Sequence, residues 1–226
     1  VSPRKLDPQA RATLLEIAAR LLAVEGPRAL SARRIAAEAG SSTMPLYSHF
    51  GRMDGLVREI VREGFVRMDQ YLEAVTPSAD AVADMCTLGR AYRRNAIVNR
   101  HLYQVMFGAD TLTGFSLTDD DRQRGRYVLI HVVNCAQRCI DSGRFRRVEA
   151  ETVAHQMWFA THGLVSLELG DYLMAPLDAD RAFESQLEAL MIGAGDQPEA
   201  AIRSVETSRR RTLLEVQGVG PQASTG

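Results

Sequence analysis

Between Ser31 and Leu56 the chain reads SARRIAAEAGSSTMPLYSHFGRMDGL, and side chains suited to a nucleic-acid duplex fall close together there. The Thr43 hydroxyl can hydrogen-bond base edges, and Met44 offers an apolar surface to a thymine methyl group. Arg33 and Arg34 are cations that could reach a phosphate backbone, contacts that position a protein without reading sequence. Arg52 precedes a helix start, where unpaired N–H groups and partial positive charge attract an anion. This is the chemistry of recognition, not of bond-making. The sequence has no Walker loop, HExxH, GxSxG or Rossmann glycine fingerprint. Glu151 and His155 are four residues apart rather than the three of a di-iron bundle, and no second copy exists. His131, Cys135 and Cys139 share one helical stripe, but a metal would need a further ligand that the sequence does not indicate, and small buried hydrophobes suit the cysteines. No metal and no cofactor is expected.

These side chains need helices to present them. Leu14, Ile17, Ala18, Leu21 and Leu22 recur at helical spacing, so a first helix is expected over Pro8 to Glu25, stopped by Gly26-Pro27. Ser31 can cap a second helix over Ala32 to Ala39, ended by Gly40. A third runs over Thr43 to His49, with Ser42 as its N-cap and Pro45 in the first turn, where a missing N–H costs nothing. Ala36, four residues before Gly40, allows close approach of the following helix, with Ile35, Ala39 and Leu46 as the apolar contact. That spacing suits a helix-turn-helix, with an ordinary helical hairpin as the alternative reading. A longer helix over Met53 to Val75 follows, closed by Thr76-Pro77.

Beyond Ser78, apolar segments near 79–94, 100–107, 119–142, 150–170 and 179–192 continue without any alternating strand pattern, so the chain is read as all-α. The segment Glu151 to Leu173 is apolar nearly all round, which implies burial on more than one side. Ile202, Val205 and Leu213 allow one further helix in a tail from 193, whose end GVGPQASTG reads as disordered. The expected organisation is a helix-turn-helix domain over 1–52, a connecting helix over 53–77, a larger helical domain over 78–192 and a partly disordered tail over 193–226.

Composition bounds the class. The 226 residues are 46% hydrophobic with a mean hydropathy of −0.15, and no apolar run approaches the roughly 18 residues needed to span a bilayer. Charges at Arg11, Glu16 and Arg20 interrupt the N-terminal segment before it could serve as a secretion signal, and three cysteines fit reduced thiols, so a cytoplasmic protein is expected. The net charge of −1 conceals an asymmetry. Residues 1–67 hold eleven Lys and Arg against seven Asp and Glu, so one end is biased toward a polyanion.

Residues 10–57 resemble the N-terminal domain of the TetR family of bacterial transcriptional repressors. The resemblance rests on the amphipathic first helix, Gly26, Leu30-Ser31, Ile35-Ala36-x-x-x-Gly40, Leu46-Tyr47-x-His49-Phe50 and Leu56. It implies that the short helix with Thr43, Met44 and Tyr47 enters the major groove, that Tyr47 and His49 touch phosphate, and that Ser42 lies at the same interface. Two positions depart from the pattern: Ser41 stands where the family is usually apolar, and Met53 where it commonly has a DNA-touching Lys. The implied partner is a double-stranded operator, approximately palindromic and bound by a homodimer, with no membrane involved.

The resemblance also implies a body that binds a small apolar organic effector. Trp158-x-x-x-His162-Gly163 is similar to a segment of one C-terminal subgroup of the family, and Trp158 and His162 share a helix face. Tyr92, Tyr103, Met106, Phe107, Tyr127 and His131 supply the aromatic and Met side chains that an apolar pocket or a helical core would use. The family pairs its subunits through its last two long helices, here about 150–172 and 179–192. That places Leu164, Phe183, Leu187, Leu190 and Met191 at the dimer interface, or in the subunit's own core. A helical protein-binding adaptor or an enzyme without a recognisable motif are the competing classes.

Overall fold

A computed structural model describes residues 7–108, 114–115 and 118–216, without the side chains of 122, 124 and 212–215. The described residues form α-helices and no strand. The helices are α1 Pro8–Glu25, α2 Ala32–Glu38, α3 Met44–Phe50, α4 Met53–Glu73, α5 Ala81–Val98, α6 Arg100–Phe107, α7 Asp119–Asp141, α8 Ala150–Leu169, α9 Ala179–Ala194 and α10 Pro198–Glu215. The chain divides into two compact units that cut across linear order. One takes residues up to Val66 together with Asn99–Gly125, and the other takes Arg67–Val98 and the chain from Arg126 onward.

The first unit is built around α1. The Asp7 side chain accepts from the Gln9 amide at 3.0 Å and starts this helix. Gly26 ends it at φ 79° and ψ 179°, a positive φ outside the left-handed helical region. Leu14, Leu15, Ala18, Leu21 and Leu22 of α1 meet Ile35, Leu46 and Phe50 of the two short helices and Leu56, Val57, Ile60 and Val61 of α4. Leu102 and Val105 of α6 join the same core. Gly64 admits that helix, since a Cβ there would lie 2.1 Å from the Met106 sulfur. The segment 100–107, expected in the larger domain, therefore packs with the helix-turn-helix.

The second unit centres on α5, which is buried along most of its length and packs against α8, α9 and α10. Ion pairs tie these helices together. Arg90 grips Glu184 with two bonds of 2.5 and 2.8 Å and also donates to Ser208 at 2.9 Å. Arg144 grips the buried Asp196 at 2.5 and 2.6 Å. The chain beyond 193 is more ordered than its composition suggests: α10 buries Ala201, Ser204, Val205 and Ser208. Small and hydroxyl-bearing side chains form this buried face, so hydrophobic periodicity understates it, and Ile202 is exposed. The side chain of Leu213 and the stretch 218–226 lie outside the described residues. Helix α8 is buried on one side only, with Val153, Met157 and Leu164 inward and Phe159 and Leu167 outward.

Candidate nucleic-acid interface

The turn between α2 and α3 is held by local bonds. The Ser31 hydroxyl accepts from the Arg34 amide at 3.3 Å. Gly40, at φ 61°, lets the Ser41 amide reach the Ala36 carbonyl at 2.9 Å. The α3 boundary differs from expectation: the N-cap residue is Thr43 with helical backbone angles, not Ser42, and it makes no side-chain capping bond. Its hydroxyl is thereby free of a capping role. Gly51, at φ 70°, ends α3, and α4 restarts two residues later. Gly55 is required at this junction, because a Cβ would stand 2.2 Å from the Phe50 carbonyl oxygen.

The result is a short helix locked by its back. Leu46 is fully buried and Phe50 nearly so, whereas Met44 is 73% and Tyr47 50% exposed on the opposite face. Ser42 is exposed and Thr43 half-buried beside them. His49 is half-buried with its ring 5.9 Å from that of Phe50. Arg33 and Arg52 are exposed cations with no ion-pair partner among the described residues. Arg34 is engaged inside the unit, with Glu25 at 2.7 Å and Glu38 at 3.3 Å. The Glu25 bond, aided by Glu38 and opposed by desolvation, raises the pKa of its guanidinium.

Beside His49 lies a cleft of about 400 Å³ that sequence spacing did not indicate. Arg58 and Arg62 line it along α4, and Asp120 and Asp121 line it from the start of α7. The helix-start pairing of Thr118 with Asp121, at 2.7 and 2.8 Å, was readable as a capping pattern. Its place near His49 is a long-range fact.

The eight residues expected at an effector site divide between the units. Tyr103, Met106 and Phe107 pack in the first, where the Phe107 ring stands 5.0 Å from Tyr103 and 6.1 Å from Phe65. In the second, Tyr92, Trp158 and His162 come together. The indole N–H of Trp158 donates to the Tyr92 hydroxyl at 3.3 Å, and that hydroxyl lies 3.1 Å from His162 Nδ1. Burial lowers the His162 pKa, so the ring is neutral at pH 7 and able to accept. His131 pairs with Asp69 at 2.8 Å. Tyr127, at 69% exposure, is not a core residue of its unit. Cys86, Cys135 and Cys139 are buried free thiols. Burial pushes the Cys86 thiol up, and the bond to Cys135 and burial push Cys139 up, which disfavours thiolate chemistry.

The residues expected to pair subunits are corrected by burial. Leu164, Phe183, Leu187 and Met191 are 8%, 1%, 2% and 1% exposed within a single chain, so they face their own core. Leu187 and Phe183 abut Gly89 of α5, and Leu190 is only partly buried. The exposed apolar side chains of this region are Phe159 and Leu167 on α8, Ile192 on α9, and Tyr172, Met174 and Leu177 between them.

A three-helix unit whose third helix is anchored by its back and presents polar and apolar tips outward is a helix-turn-helix DNA-binding module. Residues 14–60 match the family model described as bacterial regulatory proteins, tetR family, and residues 85–190 match that of the tetracyclin repressor-like C-terminal domain. Together these models match more than half of the chain, which belongs to the TetR family of DNA-binding transcriptional regulators. No curated protein matches it. Among solved structures, a protein of unknown function from Rhodococcus sp. RHA1 is similar at 24% identity with a TM-score of 0.70, covering 87% of this chain and 100% of that one. The regulator PfmR from Thermus thermophilus is similar at 18% identity with a TM-score of 0.66, covering 79% and 97%. The ketosteroid transcriptional regulator KstR2 of Mycobacterium tuberculosis is similar at 24% identity with a TM-score of 0.62, covering 84% and 97%. At these identities the likeness carries the fold. No helix among the described residues is long and apolar enough to cross a membrane.

Proposed function

We propose that this regulator is a cytoplasmic repressor that binds an approximately palindromic operator as a homodimer, with an operator affinity changed by a small organic effector. The observation that carries the reading is the two-sided character of α3: Leu46 and Phe50 fix it, and Met44 and Tyr47 stand exposed beside Thr43. In a major groove, Thr43 and Met44 would read bases. Tyr47, His49, Arg33 and the amides opening α4 beside Arg52 would hold phosphates. Arg34 would act by setting the shape of α2, since its charge is already matched by Glu25 and Glu38. Ser42 is exposed at the start of the same face.

For effector binding, Tyr92, Trp158 and His162 supply an aromatic wall with hydrogen-bonding tips in the second unit. KstR2 is a ketosteroid regulator by its name, which is consistent with an apolar organic ligand here. For pairing, the exposed Phe159, Leu167 and Ile192 form the apolar surface that a second copy would cover. Footprinting on DNA flanking the gene tests the whole. The expected operator has half-sites about 34–36 Å between centres or a multiple of that. Thr43→Ala should lose about 1–3 kcal/mol on the operator and little on random DNA. Equal losses on both would remove Thr43 from base reading.

A further inference from the structure

The cleft beside His49 lies wholly within the first unit, between α4 and the start of α7. Its α4 wall carries Arg58 and Arg62, four residues apart and so on one helix face, both exposed. The acidic residues of this helix are already engaged from α1: Arg11 takes Glu59 at 2.6 Å and Glu63 at 3.8 Å. Arg62 is left with a contact of 3.5 Å to the same Glu59. Arg58 has no ion-pair partner among the described residues. Its Nε donates to the Asp54 carbonyl oxygen at 3.4 Å, which leaves both terminal nitrogens for another acceptor.

The opposite wall is acidic but does not close on these cations. Asp121 spends its carboxylate on the Thr118 amide and hydroxyl, at 2.8 and 2.7 Å, and Arg58 pairs with neither Asp121 nor the exposed Asp120. The open space of about 400 Å³ between the walls has ample room for a phosphodiester group, and His49 borders it, half-buried. Met53, Asp54 and Gly55 open α4 without a cation, so Arg58 is the first one after Arg52. It lies about 8 Å along the helix axis from Met53. A guanidinium presents paired N–H donors that match two phosphate oxygens at once.

We propose that Arg58, supported by Arg62, holds an operator backbone phosphate that enters this cleft beside His49, and that Asp120 across the cleft weakens the contact. The proposal rests on the reading of α3 as the groove-facing helix and adds to that interface a cation outside the helix-turn-helix. Such a contact carries no base information and acts on affinity and its salt dependence.

Fluorescence anisotropy of the full chain on the footprinted operator and on random duplex, over a range of salt, tests it. Each phosphate neutralised adds about 0.9 to the logarithmic salt slope, so Arg58→Gln should flatten the slope of a dimer by about 1.8 units and cost about 60-fold in affinity near 0.1 M salt. The loss should be the same on both duplexes, and Arg58→Lys, which keeps the charge, should retain most of the slope. Asp120→Asn should tighten binding by about two- to fivefold, the scale of one screened repulsion per subunit, and by less when Arg58→Gln is also present. An Arg58→Gln protein with the wild-type slope, or an Arg58→Lys protein as flat as Arg58→Gln, would overturn the proposal. If Thr43→Ala still relaxed operator choice, the reading of α3 would stand. Saturable calorimetric binding of inorganic phosphate that Arg58→Gln abolishes would assign the cleft to a free anion and overturn it too. A wild-type chain that binds neither duplex would overturn both readings.

Discussion

The pairing surface gives the sharpest quantitative test, because two apolar residues on neighbouring helices have opposite exposures. Phe159 is 60% exposed and Leu187 is 2% exposed in the isolated subunit. A phenylalanine buries about 200 Å² in full, so roughly 120 Å² of Phe159 remains for a partner to cover, about 3 kcal/mol at 25 cal/mol per Å². A two-fold axis uses the residue twice, which brings the pair to about 6 kcal/mol as an upper value. Phe159→Glu should therefore raise the dimer dissociation constant by about three to four orders of magnitude, since each factor of ten is about 1.4 kcal/mol. Its subunit should stay folded. Leu187→Glu places a carboxylate against Gly89 and the α5 core, where an unpaired buried charge costs about 3–5 kcal/mol, so it should unfold the second unit. Sedimentation equilibrium with circular dichroism on both variants separates the two outcomes. A Phe159→Glu protein that remains a dimer of wild-type affinity would refute the assignment of this face.

Two further outcomes follow from local geometry. Gly55→Ala would push a methyl group to 2.2 Å from the Phe50 carbonyl, so it should cost about 1–3 kcal/mol and weaken operator binding by displacing α3 from α4, measured by thermal denaturation and by gel shift. Burial depresses the folded-state pKa of His162 below its ordinary value near 6.5, so the unfolded chain binds the extra proton first. The stabilisation is complete above about pH 6.5 and declines as pH falls from there toward the folded pKa. The melting temperature should drop from pH 7 to pH 5.5, and His162→Gln should flatten part of that slope. His101, also depressed by burial and then by Arg100 and Arg20, should account for another part. An unchanged slope in His162→Gln would mean that the imidazole titrates normally.

What could be read in the sequence was what local spacing decides. Ala36 and Gly40 fix a turn through bonds between residues at most five apart, so the helix-turn-helix was visible, and so were the capping role of Ser31 and the inward face of Leu46. Periodicity likewise marked Phe183, Leu187 and Met191 as one stripe. It could not say whether that stripe met a partner or α5, because both solutions bury the same side chains. The decision rests on α5, ninety-odd residues earlier, where Gly89 lies against Leu187 and Phe183. The same limit hid Arg34, whose cationic chemistry looked available until Glu25 and Glu38 were found beside it. It also hid the allegiance of α6, which no run of residues between 100 and 107 reveals without Gly64. The informative signal for assembly was therefore the one that periodicity flagged as redundant. Helix α8 is apolar nearly all round although its own subunit covers only one side, and Phe159 and Leu167 on the bare side need a reason to be apolar that a single chain does not supply.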